Sequence, residues 1–377
     1  MKIAIPAETA PDETRVAATP ETVKHYVKAG HAVAVQKGAG AKSFIGDAEY
    51  EEAGAFLEPS ASATVKEAEV VLAVRRPKDS LLKAMKQGAA LIGMLDPWSD
   101  GGFIDKLNKA KITAFSMELL PRITRAQAMD VLSSQASLAG YKAVIEAANL
   151  FPKIFPLMMT AAGSIPPAKV FVMGAGVAGL QAIATAHRLG AAVSATDVRP
   201  EAGEQVASLG AKFVFLEELA AAGEGGYAKE LTEEQKKLQA ELVANHIKDM
   251  DVVITTALIP GRPAPVLVTQ EMVESMRAGS IIVDLAVERG GNCPLSKPGE
   301  VVEHEGVKIV GHTNMAGRVP GNASAMYANN LRNFLKLLDG GEEGLKIDTE
   351  DEIIAGTLLT RDGALVNERI REMLGAA

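Results

Sequence analysis

A glycine-rich turn between two apolar runs constrains this chain more than any other feature. An apolar run at 169–173 leads into Gly174-Ala-Gly-Val-Ala-Gly179, a helical pattern continues to Leu189, and a second run at 192–196 ends beside Asp197. Strand, glycine turn, helix, strand and acidic residue follow one another in this order in dinucleotide-binding βαβ units. The sequence therefore predicts such a unit, and the alternative is an empty turn that only packs its strand and helix.

Each glycine of the turn has a separate expected task. Gly174 permits the tight turn, Gly176 lets the backbone approach a pyrophosphate, and Gly179 lets the helix pack closely on the strand. Asp197 is expected to accept hydrogen bonds from an adenosine ribose and to repel a 2′-phosphate, which favours NAD(H) over NADP(H), although Arg199 weakens that preference. The residues expected at the nucleotide, including those of a later strand end, are Gly174, Ala175, Gly176, Val177, Gly179, Asp197, Val198, Arg199, Thr255, Ala257 and Leu258.

Composition narrows the class of protein and of partner. The chain has 377 residues and is 47% hydrophobic, which suggests two domains with a core each. A net charge of −8 argues against nucleic acid as a partner, because binding to backbone phosphates needs clustered Lys and Arg. The single cysteine, Cys293, excludes an internal disulfide, and the 6 histidines show no metal-ligand spacing, so no metal is expected. The amino terminus lacks the apolar core of a signal peptide, so a soluble chain is expected.

Short apolar runs alternate with helical patterns along the chain, as is typical of α/β proteins. We predict two Rossmann-like, doubly wound domains separated by a cleft. The first comprises residues 1–135 plus 316–377, and the second, the NAD(H)-binding domain, comprises residues 136–315. Helices predicted at 141–149 and 325–338 mark the two crossings, so the first domain is discontinuous in sequence. The cleft is the expected place for a cofactor and its reaction partner.

Three segments are expected at the carboxyl edge of the second sheet, where open α/β sheets bind ligands. They are residues 255–261, 284–291 and 311–314. Small residues at Thr255, Thr256 and Ala257 would let a nicotinamide lie against the backbone, although strand ends with turn glycines explain the same pattern. His312 is interpreted either as a general acid or base or as a polar residue at the end of a strand.

A polar loop lies where the first domain is expected to pass into the second. Arg122, Gln127, Asp130 and Ser133 fall within it, and they could form a hydrogen-bonded cluster at the mouth of the cleft. A structural interpretation competes, because Thr124-x-x-Gln127 matches a capping box at the start of a helix. In that case Asp130 and Ser133 would lie on an exposed helical face. The residues alone leave both interpretations open.

Five segments together carry a resemblance to a known family. They are PRITRAQAMDVLSSQASLAGYKAV, PPAKVFVMGAGVAGLQAIATAHRLGAAVSATDVR, GGYAKE, ITTALIPGRPAPVLV and VDLAVERGGNCPLS. The chain resembles the NAD(H)-binding component, the alpha subunit domain I, of proton-translocating NAD(P) transhydrogenases over almost its whole length. Alanine dehydrogenases are related to this family and share its fold, but they lack the first segment.

The resemblance implies a homodimer that binds NAD(H), docks on a separate NADP(H)-binding component and passes hydride directly from NADH to NADP⁺. It implies coupling to proton movement through a membrane component, so the chain is expected in the cytoplasm, peripheral to the inner face of the membrane. No metal and no flavin are implied. The residues that match the family's nicotinamide loop are Arg122, Gln127, Asp130 and Ser133, and Tyr227 matches the loop that closes over the nucleotide.

Two further functions remain as alternatives. The first is an amino acid dehydrogenase similar to the alanine dehydrogenases: Arg15 matches their carboxylate-binding residue, and Arg75 stands near their lysine. Against it, Asp96 lies in the segment that carries their catalytic histidine, and Glu288 replaces their catalytic aspartate. The second is a sensor that binds NADH and transfers no hydride.

Overall fold

The computed structural model describes residues 1–99, 101–216, 233–259 and 261–375, which fold as two units. Unit 1 consists of Met1–Gln135 and Ala316–Ala377, and unit 2 of Ala136–Met315. Unit 1 is therefore built from both ends of the chain. A helix at Val131–Leu150 carries the chain out of unit 1, and the chain returns at Ala316, before a second long helix.

Unit 1 is an eight-stranded sheet with helices on both faces. Its strands are β1 (Lys2–Ile5), β2 (Ala32–Gln36), β3 (Phe56–Glu58), β4 (Val70–Leu72), β5 (Ala90–Gly93), β6 (Thr113–Ser116), β16 (Leu358–Arg361) and β17 (Ala364–Leu365). Its helices are α1 (Pro20–Lys28), α2 (Asp47–Glu52), α3 (Ala61–Val65), α4 (Asp79–Ala84), α5 (Gly101–Lys109), α11 (Pro320–Leu335), α12 (Glu352–Thr357) and α13 (Glu368–Met373). The strand order is β17-β16-β6-β5-β4-β1-β2-β3, parallel from β6 to β3.

Unit 2 is a seven-stranded sheet. Its strands are β9 (Lys169–Met173), β10 (Ala192–Thr196), β11 (Lys212–Phe213), β12 (Val252–Thr255), β13 (Ile281–Asp284), β14 (Val301–His304) and β15 (Val307–Val310). The helices are α6 (Val131–Leu150), which begins in unit 1, α7 (Val177–Arg188), α8 (Ala202–Ser208), α9 (Glu233–Ile247) and α10 (Gln270–Glu274). The order is β11-β10-β9-β12-β13-β15-β14, and only β14 pairs antiparallel. The predicted α/β fold with two doubly wound domains is confirmed.

The central strands of each sheet are buried on both sides, so each unit has two cores, one on each face of its sheet. In β1, Ile3 and Ile5 face the core that contains α1 and α11, whereas Ala4 faces the core that contains α4 and α5. This two-residue alternation lets one apolar run serve both faces of a parallel sheet. In β9, Val170 and Phe171 divide between the two faces of the unit 2 sheet in the same way.

The helix start predicted at Thr19 is confirmed, whereas the predicted bounds of two other helices differ from the structure. Thr19 caps α1 through a reciprocal bond with Thr22, and Pro20 occupies the first turn, as Thr19-Pro20 predicts. The helix predicted at 141–149 begins ten residues earlier, at Val131. The one predicted at 325–338 begins at Pro320 and ends at Leu335.

A two-stranded hairpin stands apart from both sheets in unit 2. Its strands, β7 (Met158–Thr160) and β8 (Gly163–Ile165), pair antiparallel. Every residue of both strands is exposed, and Met159 is 79% exposed. Apolar side chains on an isolated hairpin are typical of a surface that another chain covers.

A helix that crosses a bilayer must be about 20 residues long and predominantly apolar. Within 1–99, 101–216, 233–259 and 261–375, no helix meets both requirements.

Candidate functional site

The glycine turn after β9 has the geometry that the sequence predicts. Gly174 has φ +107°, a region that L side chains rarely adopt. A Cβ at Gly179 would collide with the carbonyl oxygen of Gly174, so α7 can pack against the turn only through glycine. A Cβ at Gly176 would meet nothing within 4 Å, so the backbone borders open space there. This turn fits a pyrophosphate, because Gly176 is the N-cap of α7 and the first amides of the helix are free of side-chain caps.

A further glycine, missed in the sequence, supports the turn. Gly140 lies within α6, and a Cβ there would collide with the carbonyl oxygen of Ala178 in the first turn of α7. Helix α6 therefore contacts the nucleotide turn at backbone distance. A glycine inside a 20-residue helix costs about 1 kcal/mol of stability relative to alanine. An otherwise unfavourable glycine in a helical sequence is therefore the sequence feature that indicates such a close contact.

Asp197 follows β10 and is joined to the glycine turn. One carboxylate oxygen accepts a hydrogen bond from the backbone N–H of Ala175 at 2.7 Å, and the other accepts from the Arg199 backbone N–H and Nε, both at 2.9 Å. Burial works to raise the pKa of Asp197, but the bonds from Arg199 and Ala175 outweigh it, so the pKa lies below its usual value. Asp197 is therefore ionised at neutral pH, and Arg199 is held beside it.

Two threonine hydroxyls anchor the strand end after β12. Thr255 is fully buried and its hydroxyl donates to Asp284 at 3.3 Å, so its side chain packs inside unit 2. Thr256 donates instead to the carbonyl oxygens of Met173 and Gly174, at 3.3 and 3.2 Å. These two bonds join the end of β12 to the nucleotide turn. The Thr256 hydroxyl lies so close to Gly174 that a Cβ at that position would collide with it.

Asn292 organises the loop that follows and escaped the sequence analysis. Its side-chain amide donates to the carbonyl oxygens of Ala257 and Pro265 at 2.9 and 2.8 Å, and its side-chain oxygen accepts from the Ala257 N–H at 3.1 Å. Its backbone carbonyl accepts from Leu267 and Val268. The asparagine is fully buried, and it fixes both backbone groups of Ala257, a predicted nucleotide contact.

We expect Asn292→Ala to destabilise the protein by about 1 to 2 kcal/mol, because it leaves half-buried backbone groups of Ala257 and Pro265 without partners. NADH affinity should fall as well, since Ala257 loses its fixed position. Urea unfolding and NADH titration measure the two effects. Asn149→Ala, at an exposed asparagine of α6, serves as the matched control and should change neither quantity. Unchanged stability of Asn292→Ala would contradict the organising role.

Apolar side chains are exposed where the nucleotide residues are predicted. Val177, at the start of α7, is 43% exposed and Val198, after Asp197, is 81% exposed. In the loop after β12, Leu258 and its neighbour Ile259 are also exposed. Cofactor sites are lined mainly by apolar side chains, so these exposed residues are suited to contact the rings of a dinucleotide.

The remaining polar groups of this edge are largely structural. Asp284 is fully buried and accepts from the backbone N–H groups of Ala286 and Cys293 and from the Ser296 hydroxyl. His312 lies 4.0 Å from Glu146, which also pairs with Lys142 at 3.0 Å. The structure thus brings His312 to a charged pair on α6 within unit 2.

In unit 1, the predicted polar loop forms a 3₁₀ helix at Thr124–Met129, and α6 follows it. No capping box is present, because Thr124 lies inside the 3₁₀ helix and its N-cap residue makes no side-chain bond. The cap of α6 is Asp130, which accepts from the Ser133 backbone N–H at 2.9 Å and from the Ser133 hydroxyl at 2.6 Å. The predicted cluster is therefore divided: Asp130 and Ser133 bond each other.

Arg122 and Gln127 are both exposed, and no hydrogen bond to another described residue holds either side chain. The backbone between them is held firmly. Asn330 of α11 donates to the carbonyl oxygen of Ala128 at 2.9 Å and accepts from the Ser134 hydroxyl at 2.7 Å, so it spans both sides of Asp130.

Arg125 adds a second anchor to the same 3₁₀ helix. Its guanidinium binds both carboxylate oxygens of Asp351, at 2.7 and 2.8 Å. Asp351 also caps α12 through the Ile353 N–H, so the loop is joined to a helix start as well as to α11. Two exposed, unengaged side chains on an anchored backbone are an arrangement suited to recognition of another molecule.

Arg15, which matches the carboxylate-binding residue of alanine dehydrogenases, and Arg75, which stands near their lysine, both bind Glu13. Glu13 binds Arg15 through two bonds of 2.8 and 2.7 Å, and Arg75 through one of 3.0 Å, while Arg15 also donates to Gln135 at 2.9 Å. Burial works to raise the pKa of Glu13, but the Arg15 hydrogen bonds and the two positive charges lower it to about 2. Arg15 is 3% exposed, so it serves as a member of a buried ion pair.

One predicted contact, Tyr227, lies outside the described residues. Among the residues that are described, no group of three or more His, Cys, Asp or Glu side chains is placed to hold a metal ion.

Comparisons with known proteins agree along the chain. The family models described as alanine dehydrogenase/PNT, N-terminal domain, and alanine dehydrogenase/PNT, C-terminal domain, match residues 4–139 and 143–368. The first part of the NAD(P) transhydrogenase alpha subunit of Rhodospirillum rubrum is 52% identical, over 97% of this chain and 98% of its own length.

Solved structures give the same relationship. A transhydrogenase from Sinorhizobium meliloti superposes with a TM-score of 0.89 and 53% identity, covering 97% of this chain and 100% of that one. An L-alanine dehydrogenase superposes with a TM-score of 0.81 and 27% identity, covering 100% and 99%. The resemblance inferred from the sequence is confirmed, and the chain is a member of the alanine dehydrogenase/PNT family, an NAD-binding, Rossmann-like oxidoreductase family that includes the transhydrogenase alpha subunits.

Proposed function

We propose that this chain is the NAD(H)-binding subunit of a proton-translocating NAD(P) transhydrogenase and that it delivers hydride from NADH to NADP⁺ bound on a partner component. The observation that carries the proposal is the loop of unit 1, where Arg122 and Gln127 are exposed and bond to no other described residue, while Asn330 and Arg125 anchor the backbone that bears them.

The proposed reaction depends mainly on how the protein positions the two nicotinamide rings. Hydride transfer between two nicotinamides needs no general acid or base, so the chain must position the rings and exclude water. In the proposal, Gln127 and Arg122 orient the reacting ends of the two nucleotides, and Asp130 and Ser133 hold the loop at the start of α6. The turn at Gly176 and the carboxylate of Asp197 hold the NADH itself.

The proposal requires partners. The NADP(H) site and the proton path lie on an NADP(H)-binding component and a membrane component, which would hold this chain at the inner face of the membrane. We also infer a homodimer, because the hairpin of β7 and β8 and the residue that precedes it expose four apolar side chains that a second copy can cover. Those side chains are Leu157, Met158, Met159 and Ile165.

The test is to mix the chain with a transhydrogenase NADP(H)-binding component and to follow reduction of an NAD analogue by NADPH. Hydride transfer that requires both components supports the proposal. Binding of NADH without any transfer would favour the sensor function instead. Oxidation of L-alanine by NAD⁺ with this chain alone would favour an amino acid dehydrogenase, against which the paired Arg15 and Arg75 argue.

A further inference from the structure

A pocket lies in unit 1, at the edge of the sheet where β1 and β2 begin. Its volume is about 250 Å³, and it is bordered by the last turns of α1 and α11. The polar side chains that line it are His25, Tyr26, His31, Arg332, Lys336 and Asp339. The polar loop and the other predicted site residues do not line this pocket, so the nucleotide chemistry proposed above does not explain it.

Two buried polar atoms at this pocket have no hydrogen-bond partner among the described residues. They are the hydroxyl of Tyr26 and Nε of Arg332. Tyr26 is only 4% exposed, and its burial raises the pKa of the phenol, although the Arg332 charge opposes this. The hydroxyl therefore stays protonated and can donate. A buried polar group without a partner is uncommon, because leaving one costs about 1–3 kcal/mol.

The charges around these atoms are predominantly positive. Arg332 makes no ion pair with any described residue, and the ammonium of Lys336 donates one long bond, of 3.4 Å, to the side-chain oxygen of Asn333. The one carboxylate, Asp339, is already engaged by His31 at 3.1 Å and by the Gly341 N–H at 3.0 Å. Within the described part of the chain, Arg332 and Lys336 are thus left without a counter-charge.

Basic residues at helix ends have an ordinary explanation, since they offset the negative end of the helix dipole. That explanation accounts for Lys336 and His25, which are exposed. It does not account for Arg332 and Tyr26. A cation can offset the helix dipole while fully exposed, so the dipole gives no reason to bury the Nε of Arg332 or the Tyr26 hydroxyl without a partner. A ligand with acceptor oxygens and negative charge would satisfy both.

We propose that this pocket binds a phosphate group, with Arg332 and Lys336 supplying charge and Tyr26 donating a hydrogen bond. A guanidinium presents its N–H groups in a planar fork that suits phosphate oxygens, and an ammonium adds a point charge. The phosphate is either the free ion or a small phosphate monoester, since the cavity has room for several atoms beyond the phosphate itself.

The experiment is calorimetric titration of the full chain with inorganic phosphate, phenyl phosphate and acetate at matched ionic strength. NADH is kept saturating, because the glycine turn also attracts phosphate. We expect one phosphate per chain, and R332Q should weaken its binding at least about tenfold. The matched control is R369Q, at an exposed arginine of α13, which should leave binding unchanged.

Tyr26→Phe tests the buried hydroxyl separately. Without phosphate, this variant should unfold at a higher urea concentration than the wild type, because an unpartnered hydroxyl has been removed. Its phosphate affinity should fall about threefold.

The outcomes divide clearly. The site is supported if a phosphate compound binds more tightly than acetate and if R332Q, but not R369Q, loses that binding. The phosphate compound that binds more tightly identifies the ligand as the free ion or a monoester. Equal loss in R332Q and R369Q, binding that R332Q leaves intact, or acetate binding as tight as phosphate would each overturn it. Urea unfolding of R332Q establishes that a loss of binding is not a loss of fold.

Discussion

Gln127→Asn should slow hydride transfer on the order of a hundredfold while leaving NADH affinity nearly unchanged. The substitution keeps the amide and withdraws it by one methylene, and a displacement of about 1 Å between reacting groups costs on the order of a hundredfold in rate. Gln127 is exposed on a 3₁₀ helix whose backbone is anchored by Asn330, so the shortened side chain cannot recover its reach by a shift of the loop.

Stopped-flow rates in the complex with an NADP(H)-binding component, beside NADH titrations of the chain alone, measure the two quantities separately. Gln205→Asn, at an exposed glutamine of α8, makes the same chemical change away from the loop and should transfer hydride at the wild-type rate. A normal rate for Gln127→Asn would remove Gln127 from the hydride step. Because the structure has no capping box at Thr124, that result would leave the residue without any assigned role.

The sequence anticipates the parts of this fold that depend on local patterns. The glycine turn could be predicted because backbone conformation and close approach restrict its positions to one residue type, as the φ of Gly174 shows. Parallel strands buried on both faces read as continuous apolar runs, as the runs at 169–173 and 192–196 do for β9 and β10. Edge strands such as β3 and β14 are partly exposed and contain polar residues, so no continuous apolar run marks them.

The support of the site could not be read in the same way. Asn292 bonds residues 27 and 35 positions away, and Asn330 bonds a carbonyl 202 positions away. No local pattern marks such an asparagine, since its partners are backbone groups of any residue type. The polar loop shows the opposite error: Thr124-x-x-Gln127 matches a capping motif, but the true cap is Asp130, six residues later, where Ser133 completes it.

Asp197→Ser should remove most of the preference for NADH over NADPH, which we expect to be on the order of a hundredfold in the wild type. A 2′-phosphate would meet the Asp197 carboxylate, and like charges brought together at an interface cost several kcal/mol. A hundredfold preference corresponds to about 2.8 kcal/mol. Since hydrogen bonds hold the pKa of Asp197 below its usual value, the carboxylate stays charged above that value, and a phosphate monoester loses its second proton near about pH 6. The preference should therefore be constant between about pH 7 and about pH 8, where both groups are charged, and should weaken as the pH falls through about 6.

Arg199 makes the outcome sharper than a simple loss of repulsion. In the wild type its Nε and a terminal nitrogen bind Asp197 at 2.9 and 3.1 Å, so the guanidinium is neutralised where the phosphate would arrive. Asp197→Ser releases it, and NADPH binding should then gain through Arg199. The double variant Asp197→Ser/Arg199→Gln isolates that gain: it should bind NADPH more weakly than Asp197→Ser and NADH about equally well. Equilibrium titrations with both nucleotides decide the matter, and equal NADPH affinity of the single and double variants would show that Arg199 only positions the carboxylate.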